Sequence, residues 1–83
     1  VGSKTFDGVW FAAYTQDHLP PHVHGFYAGV EVIVDLLDGE TALSQRKKAV
    51  KPGNAKQADV SRILRTATKY ADELMELWRQ ARG

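Results

Sequence analysis

Apolar positions follow two periods along this chain. From His22 to Leu36 they alternate, as in half-buried strands. Val23, Gly25 and Tyr27 form one row, and His22, His24 and Phe26 form the other. Ala28-Gly29 reads as a two-residue turn into a strand, Val30–Leu36. That turn length sets Tyr27 opposite Val30, Val23 opposite Val34, Phe26 opposite Glu31, His24 opposite Ile33 and His22 opposite Asp35. Asp38-Gly39 is a second hairpin signal. It returns the chain through Thr41–Gln45 and sets Leu43 opposite Val34 and Ala42 opposite Asp35. Before these strands, Phe6–Thr15 reads as one aromatic strand, with Gly8 as a bulge or close-packing point.

After the Lys51–Asn54 turn the period changes. Val60, Ile63, Leu64, Ala67, Ala71, Leu74, Met75 and Trp78 fall three and four apart, the stripe of an amphipathic helix. Asn54 is a candidate cap for a start at Ala55, and Asp59 for a later start. A continuous helix from Ala55 to Arg82 would run about 40 Å. In so small a domain that length predicts a break near Asp59 or an overhanging end, and an overhang invites a second copy. The expected architecture is α+β: an antiparallel four-stranded meander with a long C-terminal helix packed on its Val face.

The 83 residues make a single small domain, residues 1–83. There is no cysteine, so disulfides and thiol chemistry are excluded. No apolar run approaches the length of a membrane span, and no signal-peptide pattern appears. The expectation is a cytoplasmic protein with no membrane partner, able to form a homodimer. Net charge is +1, but unevenly spread. Residues 1–45 carry one Lys against six acids, a net of −5. Residues 46–69 carry eight bases against one acid, a net of +7. Arg46, Lys47, Lys48, Lys51, Lys56, Arg62, Arg65 and Lys69 are thus candidates for one surface that meets nucleic acid or an acidic partner. The ordinary alternative is the solvated face that every amphipathic helix needs.

The candidate chemistry lies in Asp17-His18-Leu19-Pro20-Pro21-His22-Val23-His24, which holds all three histidines. The prolines fix an extended corner. His22 and His24 leave one face, with Asp35 across from His22. A carboxylate beside an imidazole favours its charged form or fixes its tautomer. Three uses are open. His18, His22 and His24 are candidate ligands for a divalent metal, although His-x-His on a strand is a loose spacing. Without metal, His22 oriented by Asp35 and His24 could divide base and acid work on a phosphodiester, with Arg46 or Lys48 clamping phosphate. Or the imidazoles simply hydrogen-bond to Asp17, Asp35 or backbone and stiffen the corner.

Asp17-His18-x-Pro20-Pro21-His22-x-His24, Glu31-Val32-x-Val34-Asp35 and Asp72-Glu73-Leu74-x-Glu76-x-Trp78 together resemble a family of small bacterial proteins, the domain-of-unknown-function family 4160. Pro-Pro-His-x-His is the specific element, and the likeness runs from about Val9 to Arg82. The chain departs from the family pattern in its Lys-rich 46–56 segment and in Leu77. The resemblance implies a single sheet-and-helix domain with its point of interest at His18, His22 and His24. It also implies a possible place in a toxin–antitoxin pair beside another small protein. The leading expectation is an interaction module for protein or nucleic acid. The runner-up is a small ribonuclease-like phosphodiesterase.

Overall fold

A computed structural model of the chain describes residues 2–14, 19–38 and 40–82. The strands are β1 (Gly2–Phe6), β2 (Val9–Ala13), β3 (His22–Tyr27), β4 (Val30–Leu37), β5 (Glu40–Leu43) and a short β6 (Val50–Lys51). Two helices follow, α1 (Gln57–Lys69) and α2 (Ala71–Arg82). Strands β1 to β5 form an antiparallel meander in chain order, and β6 continues the β5 edge by pairing with β4 at Glu31 and Val32. The α+β meander with helical cover on one face therefore holds, with one strand more than the four expected.

That strand comes from the N-terminus. The run expected as one strand from Phe6, whose last residue Thr15 lies outside the described residues, is broken because Asp7 and Gly8 both take positive φ (49° and 81°) and turn the chain back on itself. Phe6 pairs with Val9 and Lys4 with Phe11. Asp-Gly between strands favours such a primed turn. The hairpin through Ala28-Gly29 (φ 52° and 78°) gives the expected register, with His22 opposite Asp35, His24 opposite Ile33 and Phe26 opposite Glu31. Ala42 lies opposite Asp35 and Leu43 opposite Val34.

The core lies between the Val face and the helices. Val9, Phe11, Val23, Val32 and Val34 are fully buried there, together with Ile63 and Leu74. Gly25 lets α1 approach closely. A Cβ at that position would lie 2.6 Å from Ile63 Cγ2. Trp78 is buried, as its place in the stripe predicts.

The helical region is two helices rather than one long helix, and the break falls at Tyr70 instead of near Asp59. The backbone at Tyr70 leaves the helical range (φ −115°, ψ 30°). Its ring stacks on Phe6 at 4.4 Å and its hydroxyl donates to Asp7 Oδ1 at 3.1 Å. Just upstream, the Thr66 and Thr68 hydroxyls bond back to the carbonyls of Arg62 and Leu64, a pattern that bends helices. The break keeps the helices within a body whose longest dimension is 34 Å. Neither expected cap acts as one. Lys56 is the N-cap residue of α1, without a side-chain bond, and Asp59 lies inside the first turn.

The Ser44–Ala49 segment leaves the sheet edge between β5 and β6. Both backbone groups of Ile33 stay satisfied across the gap, by the Ser44 N–H at 3.0 Å and the Ala49 carbonyl at 2.8 Å. The excursion carries Arg46, Lys47 and Lys48, the last at φ 60°.

Candidate functional site

His22 opens β3 directly after Pro21. The Pro21 carbonyl accepts the Leu36 N–H at 2.8 Å, so the corner is tied to β4. His22 Nδ1 lies 2.9 Å from the Pro20 carbonyl oxygen. A carbonyl only accepts, so Nδ1 carries a proton and donates it here. Arg46 Nη2 also lies 3.4 Å from Nδ1. With that proton spent on Pro20, this longer approach is a packing contact rather than a hydrogen bond. The ring of His22 is 5.3 Å from that of Trp78, and the residue is only 2% exposed.

His24 is held in a similar way. Its Nδ1 donates to Glu31 Oε2 at 2.9 Å. Tyr14 meets its ring edge-on at 4.9 Å, and the His22 ring is 5.4 Å away. The two imidazoles thus leave the sheet side by side, on the face that also carries Trp10 and Phe26, whose rings lie 5.0 Å apart. They do not open onto a wide site, because His22 is sealed and the side chain of His24 is 15% exposed.

Asp35 stands opposite His22 in the ladder, but among the described residues the Nδ1 proton of His22 goes to Pro20. Asp35 Oδ1 is shut off from solvent, with no hydrogen-bond partner among the described residues. Asp35 lines a cleft of about 530 Å3 with Leu19, Leu37, Ala42, Leu43 and Arg46. Alanine at position 42 does leave room there. Leu19 (68%), Leu37 (42%) and Leu43 (43%) are three of the four large apolar side chains that the described residues expose. Sequence reasoning passed over this gathering. The β4–β5 register carried part of the signal, since it sets the small Ala42 opposite Asp35 in the cleft that Leu37 and Leu43 both line.

Nδ1 hydrogen bonds to a carbonyl and a carboxylate are the outer-sphere arrangement that orients metal-binding imidazoles. Among the described residues, however, no three His, Asp or Glu side chains come together to hold a metal. Asp17 and His18, the latter the third member of the expected ligand set, lie outside those residues.

The basic candidates separate into different places. Arg62, Arg65 and Lys69 share one face of α1, as their spacing predicts, and line a cleft of about 580 Å3 with Thr66 and Asp7. Asp7, unremarked in the sequence, organises it. Its backbone carbonyl accepts from Arg62 Nη2 at 3.0 Å, and its Oδ2 accepts from Lys69 Nζ at 3.0 Å. The hydrogen bonds from Lys69 and Tyr70 hold the Asp7 carboxyl below its ordinary range, and the same contact holds the Lys69 ammonium above its own. Arg62 also lies over the Tyr27 ring at 4.9 Å. Arg46 belongs instead to the leucine-lined cleft, and Lys47, Lys48 and Lys51 are exposed around the Ser44–Ala49 excursion and β6.

The family model described as a domain of unknown function, DUF4160, matches residues 8–79. The chain belongs to the DUF4160 family. Comparison with curated proteins and with solved structures gave no match. The DUF4160 match takes in the whole of β2 to β5, both histidines on β3 and most of α2. It leaves out β1, so the strand that sequence reading did not separate is also the one outside the matched residues. No helix is long and apolar enough to cross a membrane among the described residues.

Proposed function

We propose that this DUF4160 domain is a cytoplasmic interaction module that recognises a partner protein, with the histidines serving its scaffold. The observation that carries this reading is the placement of His22. It is 2% exposed, packed on Trp78, and its Nδ1 proton is committed to Pro20. A general base must reach the proton it removes from substrate, and a sealed imidazole bonded to its own corner is poorly placed for that. His24 and Glu31 tie β3 to β4 in the same manner. What the fold offers to a partner is the cleft lined by Leu19, Leu37 and Leu43. Membership of a toxin–antitoxin pair, which the family resemblance implies, is one form of this reading.

A nuclease is the second reading. It is favoured by the 5.4 Å between the imidazole rings and by a guanidinium close to His22. Nucleic-acid binding through the α1 cleft is weaker, because Asp7 already engages Arg62 and Lys69. One experiment separates the readings. The wild-type chain, His22→Ala and His24→Ala are incubated with RNA and with DNA, with and without a chelator. The interaction reading expects no hydrolysis from any of the three. Cleavage by the wild type that His24→Ala abolishes would overturn it, and metal analysis of the purified chain would then separate metal-dependent from metal-free chemistry.

A further inference from the structure

Resting on that reading, we propose that the β4–β5 hairpin docks an extended segment of a partner protein that alternates apolar and basic residues, added as a strand along β5. Strand β5 is the terminal member of the meander. The Ser44 N–H bonds inward to Ile33 O. By the alternation of an antiparallel ladder, Thr41 and Leu43 turn their N–H and C=O groups outward. An edge of this kind can accept a further strand, whose main-chain bonds supply affinity and whose side chains supply specificity.

The side chains around the hairpin fix the chemistry. Leu19, Leu37 and Leu43 line the apolar cleft at this edge, with Asp35 on its wall. Leu37 also borders a second cleft, of about 340 Å3 at the hairpin end, lined by Asp38, Glu40, Asp72 and Glu76 against the single base Arg79. An added strand points successive side chains to opposite faces. By the β4–β5 register, one row passes Thr41 and Leu43 on the face of Val34, and the other passes Glu40 and Ala42 on the face of Leu37 and Asp35. Apolar residues suit the first row, and lysine or arginine the second. The carboxylates disfavour a nucleic-acid backbone here. An isologous second copy would bring the same acids face to face, because a two-fold contact uses one patch twice.

The test uses two eight-residue peptides, one alternating lysine with valine and one alternating glutamate with valine. Each is titrated into the full isotope-labelled chain at low salt and followed by amide chemical shifts. The lysine peptide should move the amides of Leu37, Thr41 and Leu43, and the glutamate peptide should not. Neutralising Asp38→Asn and Glu40→Gln together should weaken the lysine peptide about five- to tenfold. Leu43→Pro should abolish binding, since it removes an outward N–H and leaves the β4 ladder paired. Leu37→Ser alters the cleft wall without touching an outward backbone group of β5, and provides an independent loss. Equal binding of the glutamate peptide, shifts centred on Arg62 and Lys69, or shifts of the same amides with protein concentration alone would each overturn the proposal. The last would assign the edge to a second copy. No peptide binding together with no nucleic-acid hydrolysis removes this site and leaves the interaction reading in place. Hydrolysis lost in His24→Ala removes the reading itself.

Discussion

His24 Nδ1 donates to Glu31 Oε2 at 2.9 Å, diagonally across the β3–β4 ladder, since the residue directly opposite His24 is Ile33. Both side chains are partly covered, at 15% and 23% exposure. The bond therefore works at intermediate screening, stronger than a surface pair and weaker than a buried one. His24→Ala should cost about 1–2 kcal/mol. Glu31→Gln keeps an acceptor in place and should cost less, about 0.5 kcal/mol. Urea unfolding of the two single variants and the double variant measures the coupling. A value near zero would mean that Glu31 does not hold the ring.

The Asp7 cluster predicts a pH effect with a definite sign. Asp7 is held below the ordinary carboxylate value of 3.8 by Lys69 and Tyr70. A depressed carboxylate contributes stability that is present above its unfolded-state value and is lost as pH falls through the folded one. Asp7→Asn keeps a residue that tolerates the positive φ of 49° and removes the charge. Its melting temperature should therefore fall less steeply than that of the wild type below pH 3.8. Lys69 is raised, so its share is complete below the usual lysine value of 10.5 and fades as pH climbs through the folded value. Parallel acid limbs for the two proteins would show that the contact adds nothing.

Much of this arrangement could be read in the sequence, and the reasons are local. Ala28-Gly29 and Asp38-Gly39 set loop lengths, and loop length sets register, so the cross-strand partners of His22, His24 and Ala42 followed directly. The same Asp-Gly signal at positions 7 and 8 was hidden by aromatic residues on both faces of the run that contains it. The kink at Tyr70 depends on Phe6 and Asp7, more than sixty residues away along the chain, and helical periodicity carries no trace of them. The sealing of His22 depends likewise on Trp78. The alternation that puts both imidazoles on one face does not say how deeply either is covered.

Gly25 tests the packing of sheet on helix. A methyl group there would lie 2.6 Å from Ile63 Cγ2 and 2.9 Å from Phe11 Cε1, both on fully buried side chains. Gly25→Ala should thus destabilise the fold by about 1–3 kcal/mol through overpacking. Ile63→Ala alone should cost about 2–5 kcal/mol through the cavity it leaves. Combined, the two changes should cost less than their sum, because the new methyl group enters space the isoleucine has vacated. Chemical denaturation of all four proteins checks this, and strict additivity would place the strain elsewhere.

Ala28 takes φ 52° at the first corner of the β3–β4 turn, followed by Gly29 at 78°. A primed two-residue turn needs positive φ at both corners, and an alanine Cβ resists it. The Ala28 side chain is exposed, so little contact is lost on replacement. Ala28→Gly should relieve the clash at the expense of a more flexible unfolded chain, for a net gain of about 0.5 kcal/mol. Ala28→Asn should gain at least as much, since asparagine tolerates the left-handed region without that entropic loss. Ala28→Val should destabilise, because a β-branched side chain suits this conformation worst. The two gains should appear as higher urea midpoints at an unchanged slope. They should also leave the β3–β4 register intact, with His22 still opposite Asp35. A lower midpoint for Ala28→Asn would show that the turn is not the primed type that fixes that register.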